Sequence, residues 1–279
     1  MIASGTVGHW LRHARSAGID RLDAQLLVAE VLQQPRTWVI AHEEYPLQAG
    51  ERQRLDTLLT QRLDGVPLAY LTGWREFDGL RLKVTADVLV PRADTETLVE
   101  WASEFLQEHA HSRPAAQVLD LGTGSGAIAL ALKHRHPSAE VTGTDSSAAA
   151  LEVARDNAQR LHLGVQWLMG RWFEPVRGRR FDMVVSNPPY VAPHDPHLAA
   201  LQHEPAQALV SAEAGLADLF EIISQAGAFL TEGGVLRLEH GWDQGLAVRQ
   251  ALAAAGFRDV HTRRDLAGQE RCSAGVWRR

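Results

Sequence analysis

A chain of 279 residues with 45% hydrophobic and 22% charged residues has the length and composition for one large soluble domain or two smaller ones, each with its own core. Its single cysteine, Cys272, excludes an internal disulfide and a cysteine zinc site, and with no apolar stretch of signal-peptide or transmembrane length a cytoplasmic location is expected, with no membrane partner. The net charge of −6 argues against a protein that grips nucleic acid over its whole surface.

In chain order, residues 6–65 are expected to be helical. Trp10, Leu11 and Ala14, then Leu22, Leu26, Leu27, Ala29, Val31 and Leu32, then Leu55, Leu58, Leu59 and Leu63 recur at three- and four-residue spacings. Gly18, Pro35, Pro46 and Gly50 read as interruptions, so residues 1–65 form a small helical bundle. It carries no catalytic constellation, which leaves partner recognition or plain structural support as its role. From residue 66 the pattern turns extended. Residues 74–77 and 80–84 alternate around Asp78-Gly79, a hairpin turn signal, and residues 66–93 are assigned as a β-hairpin linker. Val90-Pro91-Arg92-Ala93-Asp94-Thr95-Glu96 then leads into a helix to about residue 109, with Asp94 or Thr95 as its cap. Arg92 and Glu96 are candidates for site residues or for cap and surface positions.

Residues 94–279 alternate strand and helix patterns. Strands are predicted at 117–121, 140–144, 165–168, 181–186, 234–239, 257–262 and 272–277, and helices at 127–135, 148–161, 216–230 and 244–255. Such alternation builds an α/β domain of Rossmann-like type, a mainly parallel seven-stranded sheet covered on both faces. The last two strands have only residues 263–271 between them, so they pair as an antiparallel hairpin at one edge.

Two loops in this region carry chemistry. The first predicted strand runs into Gly122-Thr123-Gly124-Ser125-Gly126 and then into a helix start, where missing side chains let backbone N–H groups approach a ligand. Asp145 ends the next strand; 145 minus 126 places it 19 residues past the last glycine, where a carboxylate can take both ribose hydroxyls of a nucleoside. A nicotinamide dinucleotide and S-adenosylmethionine both satisfy this much. The third glycine comes one residue early for G-x-G-x-x-G, which favours the methyl donor. Trp172 is a candidate wall for the adenine pocket, or a packing residue.

The second loop is Asn187-Pro188-Pro189-Tyr190, at the end of the 181–186 strand. Two adjacent prolines cannot continue a ladder, so the tetrapeptide is a rigid loop. The prolines bring no N–H groups, and Asn187 adds a side-chain carbonyl, so the loop is rich in acceptors and suits an NH2 group. An amide or aromatic amine is a poor nucleophile, and acceptors on its N–H bonds aim the nitrogen. Tyr190 is placed to lie against the flat group that bears the amine, or to be a core residue. If the first and fourth strands are neighbours, the two loops share one crevice at the point where strand order reverses.

Other charged groups are weaker signals. Arg171, Arg177, Arg179 and Arg180 form either a basic patch or a solvated loop. Thirteen histidines include no HExxH, and His134 and His136 point different ways on a helix, so no metal is expected.

Taken together, Asp120 to Gly126, Asp145, Ser186 to Tyr190, Pro67-Leu-Ala-Tyr-Leu-Thr-Gly73, Leu89 to Glu96, Asp23-Ala24 with Leu26-Leu27, and Arg264 to Gly268 resemble the bacterial release factor glutamine methyltransferases, the PrmC or HemK family, over nearly the whole chain. The resemblance implies an S-adenosylmethionine-dependent protein methyltransferase that modifies the side-chain amide nitrogen, N5, of the glutamine in the Gly-Gly-Gln motif of class I peptide-chain release factors. It leaves S-adenosyl-L-homocysteine as product. By position, Gly122, Thr123, Gly124, Ser125, Gly126, Asp145, Trp172 and Asn187 would contact the donor, and Asn187, Pro188, Pro189 and Tyr190 would hold the glutamine. The helical domain would help to engage the release factor; a monomer without direct nucleic-acid binding is expected. Ala93 stands where the family more often has a second proline after Pro-Arg.

The competing readings are an adenine-N6 or other nucleic-acid amine methyltransferase, since the same loop suits an exocyclic amine on a flipped base, a dinucleotide-dependent oxidoreductase, and a non-catalytic nucleoside-binding protein. The first would want a basic recognition region, which residues 1–65 lack.

Overall fold

The computed structural model describes residues 5–278; residues 1–4 and 279, the outer ends of the first and last expected domains, lie outside the described residues. The chain divides into two compact units, one running to Trp74 and the other starting at Arg75.

The first unit is helical: α1 (Val7–Ser16), α2 (Arg21–Leu32), α3 (Arg36–Ala41), α4 (Ala49–Leu63) and α5 (Leu68–Thr72). Thr6 and Asp20 cap α1 and α2 through their side chains, and Gln48 with Glu51 forms a capping box on α4. Val7, Trp10, Leu27, Val28 and Leu55 fill the core. Trp10 Nε1 donates to Asp56 at 3.1 Å, which ties α1 to α4, and Arg62 pairs with Asp23 at 2.8 Å, which ties α4 to α2. Two expectations need correction. Gly50 does not interrupt a helix but lies in the first turn of α4, where the backbone has no intrahelical acceptor to lose. Residues 68–72, expected to be extended, form α5 between Pro67 and left-handed Gly73, with Leu68 and Leu71 packed on the bundle core. One helical turn is too short to show a period.

In the second unit, β1 (Trp74–Phe77) and β2 (Leu80–Lys83) form the expected hairpin. Asp78 and Gly79 both have positive φ, 51° and 74°, as a two-residue turn of this kind requires. A 3₁₀ turn at Ala93–Thr95 leads into α6 (Glu96–Glu108). Then follow β3 (Gln117–Leu121), α7 (Ala127–Arg135), β4 (Glu140–Asp145), α8 (Ala148–Leu161), β5 (Gln166–Met169), β6 (Phe181–Ser186), α9 (Ala212–Gly215), α10 (Ala217–Ala226), β7 (Leu230–Glu239), α11 (Gly245–Ala254), β8 (Arg258–Arg264) and β9 (Glu270–Val276).

The seven large-sheet strands run in the order β5-β4-β3-β6-β7-β9-β8, with β9 antiparallel to both its neighbours. The fold class is therefore α/β as read from sequence. Alternate residues of the central strands serve opposite cores: Val118, Met183 and Val185 pack with α6 and α7, while Leu119, Leu121 and Val184 pack with α10 and α11. β7 starts four residues earlier than predicted, at Leu230 rather than 234, and shortens the helix expected to reach 230. Gly233 and Gly234 lie inside the strand beside a register shift opposite Phe181 and Met183.

Candidate active site

β3 and β6 are neighbours, paired in parallel from Val118↔Met183 to Leu121↔Ser186. Strand order reverses between them, so the loops that leave their carboxyl ends flank one crevice. Ser186 Oγ donates to the Leu121 carbonyl at 2.7 Å and fastens the two exits together.

The glycine loop takes its shape from left-handed backbone: φ is 67° at Gly122, 56° at Gly124 and 83° at Gly126. Thr123 N–H donates to the Thr144 carbonyl at 2.9 Å, and its hydroxyl to buried Asp120 at 2.6 Å. Asn157, from α8, donates to the Ser125 carbonyl and the Lys83 carbonyl, both at 3.0 Å, and thereby fixes the loop to β2. Asp145 accepts from Gly124 N–H through Oδ2 and from Ser147 N–H through Oδ1, each at 2.8 Å. Burial pushes its carboxyl above the ordinary carboxylate range, against those backbone hydrogen bonds, which pull the other way. A carboxylate has about four lone-pair sites, so about two remain on Asp145 for hydroxyl donors.

A cleft of about 350 Å³ opens here, within the range of small-molecule sites. Gly122, Gly124, Asp145 and Trp172 line one side, Asn187 and Pro189 another. Asp87, Val88 and Leu89 contribute a wall from the loop before α6, and Gln207, Ala208 and Val210 one from the segment after the proline loop. Thr123, Ser125, Gly126, Pro188 and Tyr190 are not among the lining residues. Thr123 and Ser125 shape the loop through the bonds above, and a Cβ on Gly126 would lie 3.0 Å from Trp167 and 3.1 Å from Leu130.

Trp172 is 8% exposed, holds φ at 45°, and has a buried Nε1 without a hydrogen-bond partner. Its ring lies 3.2 Å from where a Gly122 Cβ would be, so ring and glycine loop are in close contact. Arg171 lines the cleft too, but its guanidinium pairs with Asp218 at 2.8 Å and Glu221 at 2.5 Å. Arg179 bonds Gln166 and Thr142, and Arg180 the Leu230 carbonyl, so these arginines serve local structure rather than a shared patch.

Asn187 donates from Nδ2 to Thr95 Oγ1 at 3.1 Å. That leaves its Oδ1 as the free acceptor of the side chain. Thr95, expected as a possible helix cap, makes no side-chain cap bond, and Asp94 pairs instead with Arg271 at 3.3 Å. The Tyr190 hydroxyl donates to Glu239 Oε1 at 3.2 Å, and its ring packs on the sheet core. Glu239 is wholly buried, and burial raises its carboxyl to about 7 although Thr95, Arg271 and Tyr190 stabilise its charge. Arg92 pairs with buried Glu204, whose other oxygen accepts from Val90 N–H at 3.0 Å, and Glu96 accepts from Asp78 N–H at 3.1 Å. Both therefore anchor the loop before α6 and the hairpin turn. Glu204, Asn157 and Glu239 carry no signal in the sequence, and Thr95 reads there only as a cap, because a lone polar residue in an apolar or loop context has no periodic signal.

The proline loop is held from behind. Gln244 Nε2 donates to the Tyr190 carbonyl at 3.0 Å, so this acceptor is already used. Glu213, Ala214 and Gly215 hold φ at 52°, 56° and 87° in succession, and a Cβ on Gly215 would fall 2.1 Å from the Tyr190 carbonyl oxygen. Gly215→Ala is expected to cost about 2–4 kcal/mol of stability, from a strained backbone plus a collision with main chain. A chemical-denaturation midpoint equal to wild type would contradict this packing.

Asp120 is fully buried with Oδ1 unpartnered, and burial raises its carboxyl from the ordinary 3.8 to about 7. The folded state thus keeps a proton that the unfolded chain loses near pH 4. The stability this group contributes is complete below that pH and disappears as pH rises through about 7. Asp120→Asn should flatten the loss of thermal stability between pH 4 and 8; an unchanged slope would refute the assignment.

Comparison with known proteins agrees with this geometry. Residues 95–263 match the model of the "Methyltransferase small domain" family, and residues 9–73 the "PrmC N-terminal domain". The chain is 49% identical over 261 residues to the release factor glutamine methyltransferase of Bordetella pertussis, covering 92% of this chain and 95% of that one. It is 45% identical over 274 residues to the protein of that name from Escherichia coli K12, covering 96% and 97%. Among solved structures, a methyltransferase from Pyrococcus furiosus superposes with a TM-score of 0.53 at 20% identity, over 72% of this chain and 90% of that one. A 16S rRNA methyltransferase of T. thermophilus gives 0.52 at 22%, over 74% and 50%; both show a shared fold. Identity at this level along nearly the full length of both chains, with a methyltransferase cleft at the sheet's switch point, means that the chain belongs to the release factor glutamine methyltransferase family.

Proposed function

We propose that this protein transfers a methyl group from S-adenosyl-L-methionine to N5 of the glutamine in the Gly-Gly-Gln motif of class I peptide-chain release factors. The observation that carries the reading is Asn187 facing the glycine loop across one cleft, with its Nδ2 already bonded to Thr95 and its Oδ1 left to accept from an incoming NH2 group. The cleft suits the donor: positive-φ glycines without side chains, a carboxylate at the end of β4, and a buried indole ring. Asp145 would take the ribose hydroxyls, Gly122 and Gly124 the backbone approach, and Trp172 the adenine side. The donor supplies an activated methyl group on a sulfonium.

Everything else is positioning. Asn187 Oδ1 and the carbonyls of the proline loop accept from the glutamine N–H bonds and turn the nitrogen toward the donor side, where rigid prolines hold the approach. Such alignment contributes several kcal/mol to catalysis, and as the N–C bond replaces the S–C bond the nitrogen would shed one proton to solvent. The first helical unit engages the release factor body, and the second carries the chemistry. The test offers labelled S-adenosylmethionine with a purified release factor, the same factor with its motif glutamine changed to alanine, and DNA. Label on the unaltered factor alone is expected. Equal label on the altered factor, or label on DNA alone, would overturn the proposal.

A further inference from the structure

Two walls of the cleft come from distant parts of the chain. One, Asp87 to Leu89, belongs to the loop between β2 and α6; the other, Gln207, Ala208 and Val210, belongs to the stretch between the proline loop and α9. That stretch leaves and returns at one place, where Val191 N–H donates to the Leu209 carbonyl at 2.9 Å and Ser211 N–H to the Val191 carbonyl at 3.0 Å. Between those points its regular structure is two 3₁₀ turns, Pro196–Leu201 and Ala206–Ala208. Short turns of this kind hold a wall in place only weakly by themselves.

Glu204 joins the two walls. Its side chain is 2% exposed; Oε2 accepts from Val90 N–H at 3.0 Å, and Oε1 pairs with the Arg92 guanidinium. Val90 directly follows the first wall, and Pro205 alone separates Glu204 from the turn that carries Gln207 and Ala208. The Val90–Arg92 side is itself fixed. The ring of Pro91 restricts the backbone between the two donors, and its carbonyl accepts from Arg75 Nε at 3.1 Å. A single buried carboxylate thus ties one wall to the other within a few residues of each, with a donor on both oxygens.

Resting on the donor binding proposed above, we infer that Glu204 is a positioning residue for the methyl donor: through Val90 and Arg92 it holds the 87–89 wall against the 207–210 wall, and so sets how long the donor stays in the cleft. Walls that are already placed spare the ligand the cost of ordering two loops. Without the carboxylate they part independently, and bound donor leaves faster. The nucleophile side has its own supports. Asn187 is bonded to Thr95, and the turn that carries Thr95 is tied through Asp94 to Arg271 at 3.3 Å. The effect of Glu204 therefore belongs to donor affinity rather than to transfer at saturation.

The experiment measures S-adenosyl-L-homocysteine affinity by calorimetry, its dissociation by stopped-flow displacement, and kcat at saturating donor. The proteins are wild type, Glu204→Gln, Arg92→Gln, Arg92→Lys and the double variant Glu204→Gln with Arg92→Gln. Glu204→Gln keeps the side chain's shape but turns an NH2 group on one of the two donors, so Kd should rise about tenfold, mainly through faster dissociation, with kcat within about twofold. Arg92→Gln should give a loss of the same order, and Arg92→Lys, which keeps the charge, should recover most of it. The double variant should bind no more weakly than the worse single one, because both substitutions break one contact. A general weakening of the fold would instead add up in the double variant and lower kcat as well. Dissociation at the wild-type rate in Arg92→Gln, additive losses, or a kcat that falls as far as affinity overturns this inference, and the Arg92 variants decide it even if Glu204→Gln fails to fold. A wild-type protein that binds S-adenosyl-L-homocysteine but leaves the release factor unmodified overturns the proposed function alone, and affinity and dissociation then still decide the role of Glu204. A wild-type protein that binds neither donor nor product overturns both.

Discussion

Asn187→Ala is expected to lower kcat by about 10²–10³, roughly 3–4 kcal/mol, while donor affinity changes by no more than a few fold. The side chain lies in the cleft with its donor end tied to Thr95, so truncation removes one aimed acceptor and little else. Its backbone stays in place because the loop is anchored at both ends: Ser186 bonds the Leu121 carbonyl, and Val191 exchanges backbone hydrogen bonds with Leu209 and Ser211. The loss should appear in kcat rather than in KM for the donor, the mark of a group that acts on approach geometry. Steady-state kinetics with donor and release factor varied in turn measure the split. A variant that turns over like wild type would mean that the proline loop does not aim the nucleophile.

The second large effect is at the opposite wall. Asp145→Ala should weaken donor binding by roughly a hundredfold, about 3 kcal/mol, through loss of two charge-assisted hydrogen bonds to the ribose. It also leaves Gly124 N–H and Ser147 N–H without their present acceptor, which loosens the glycine loop that the donor must meet. Asp145→Asn separates the two contributions: its single carbonyl can accept from one of these N–H groups but its NH2 faces the other, so affinity should fall to an intermediate value. Calorimetric titration with S-adenosyl-L-homocysteine reads this without turnover. Unaltered affinity in Asp145→Ala would remove the ribose contact from the account.

These two effects come from positions that the sequence exposes openly. A glycine loop after a strand, an acid at the end of the next strand and an Asn-Pro-Pro-aromatic run each break a regular pattern at a strand's carboxyl end, and strand alternation alone supplies the sheet on which they meet. What was hidden is the support. Glu239 reads as the last residue of an apolar strand and Thr95 as a cap, yet Thr95 holds Asn187 and Glu239 holds Tyr190, and only the turn before α6 and the pairing of β7 with β6 bring them to the proline loop. Glu204 is 112 residues from the Arg92 that it holds, a separation that no local pattern reports. The same limit explains α5, since one turn of helix is shorter than a period, and the early start of β7, whose first residues pair with β6 only across a register shift. Tyr190 illustrates a further point. In the sequence its ring reads either as a face for the flat group or as a core residue; in the structure the ring packs on the sheet core and the hydroxyl and carbonyl are engaged by Glu239 and Gln244. Its part is to stiffen the loop that Asn187 and Pro189 present to the cleft.

The proposed activity requires one cleft to hold a methyl donor and a glutamine amide together. Mass spectrometry of a release factor incubated with this protein and S-adenosylmethionine tests it most directly, by fragmenting the peptide that contains the Gly-Gly-Gln motif. The expected result is a single added methyl group on the glutamine side-chain nitrogen, formed about 10²–10³ times more slowly when Asn187→Ala replaces the wild-type enzyme. A methyl group on the backbone or on any other residue, or an unmodified motif peptide under conditions where the donor is consumed, would contradict the account.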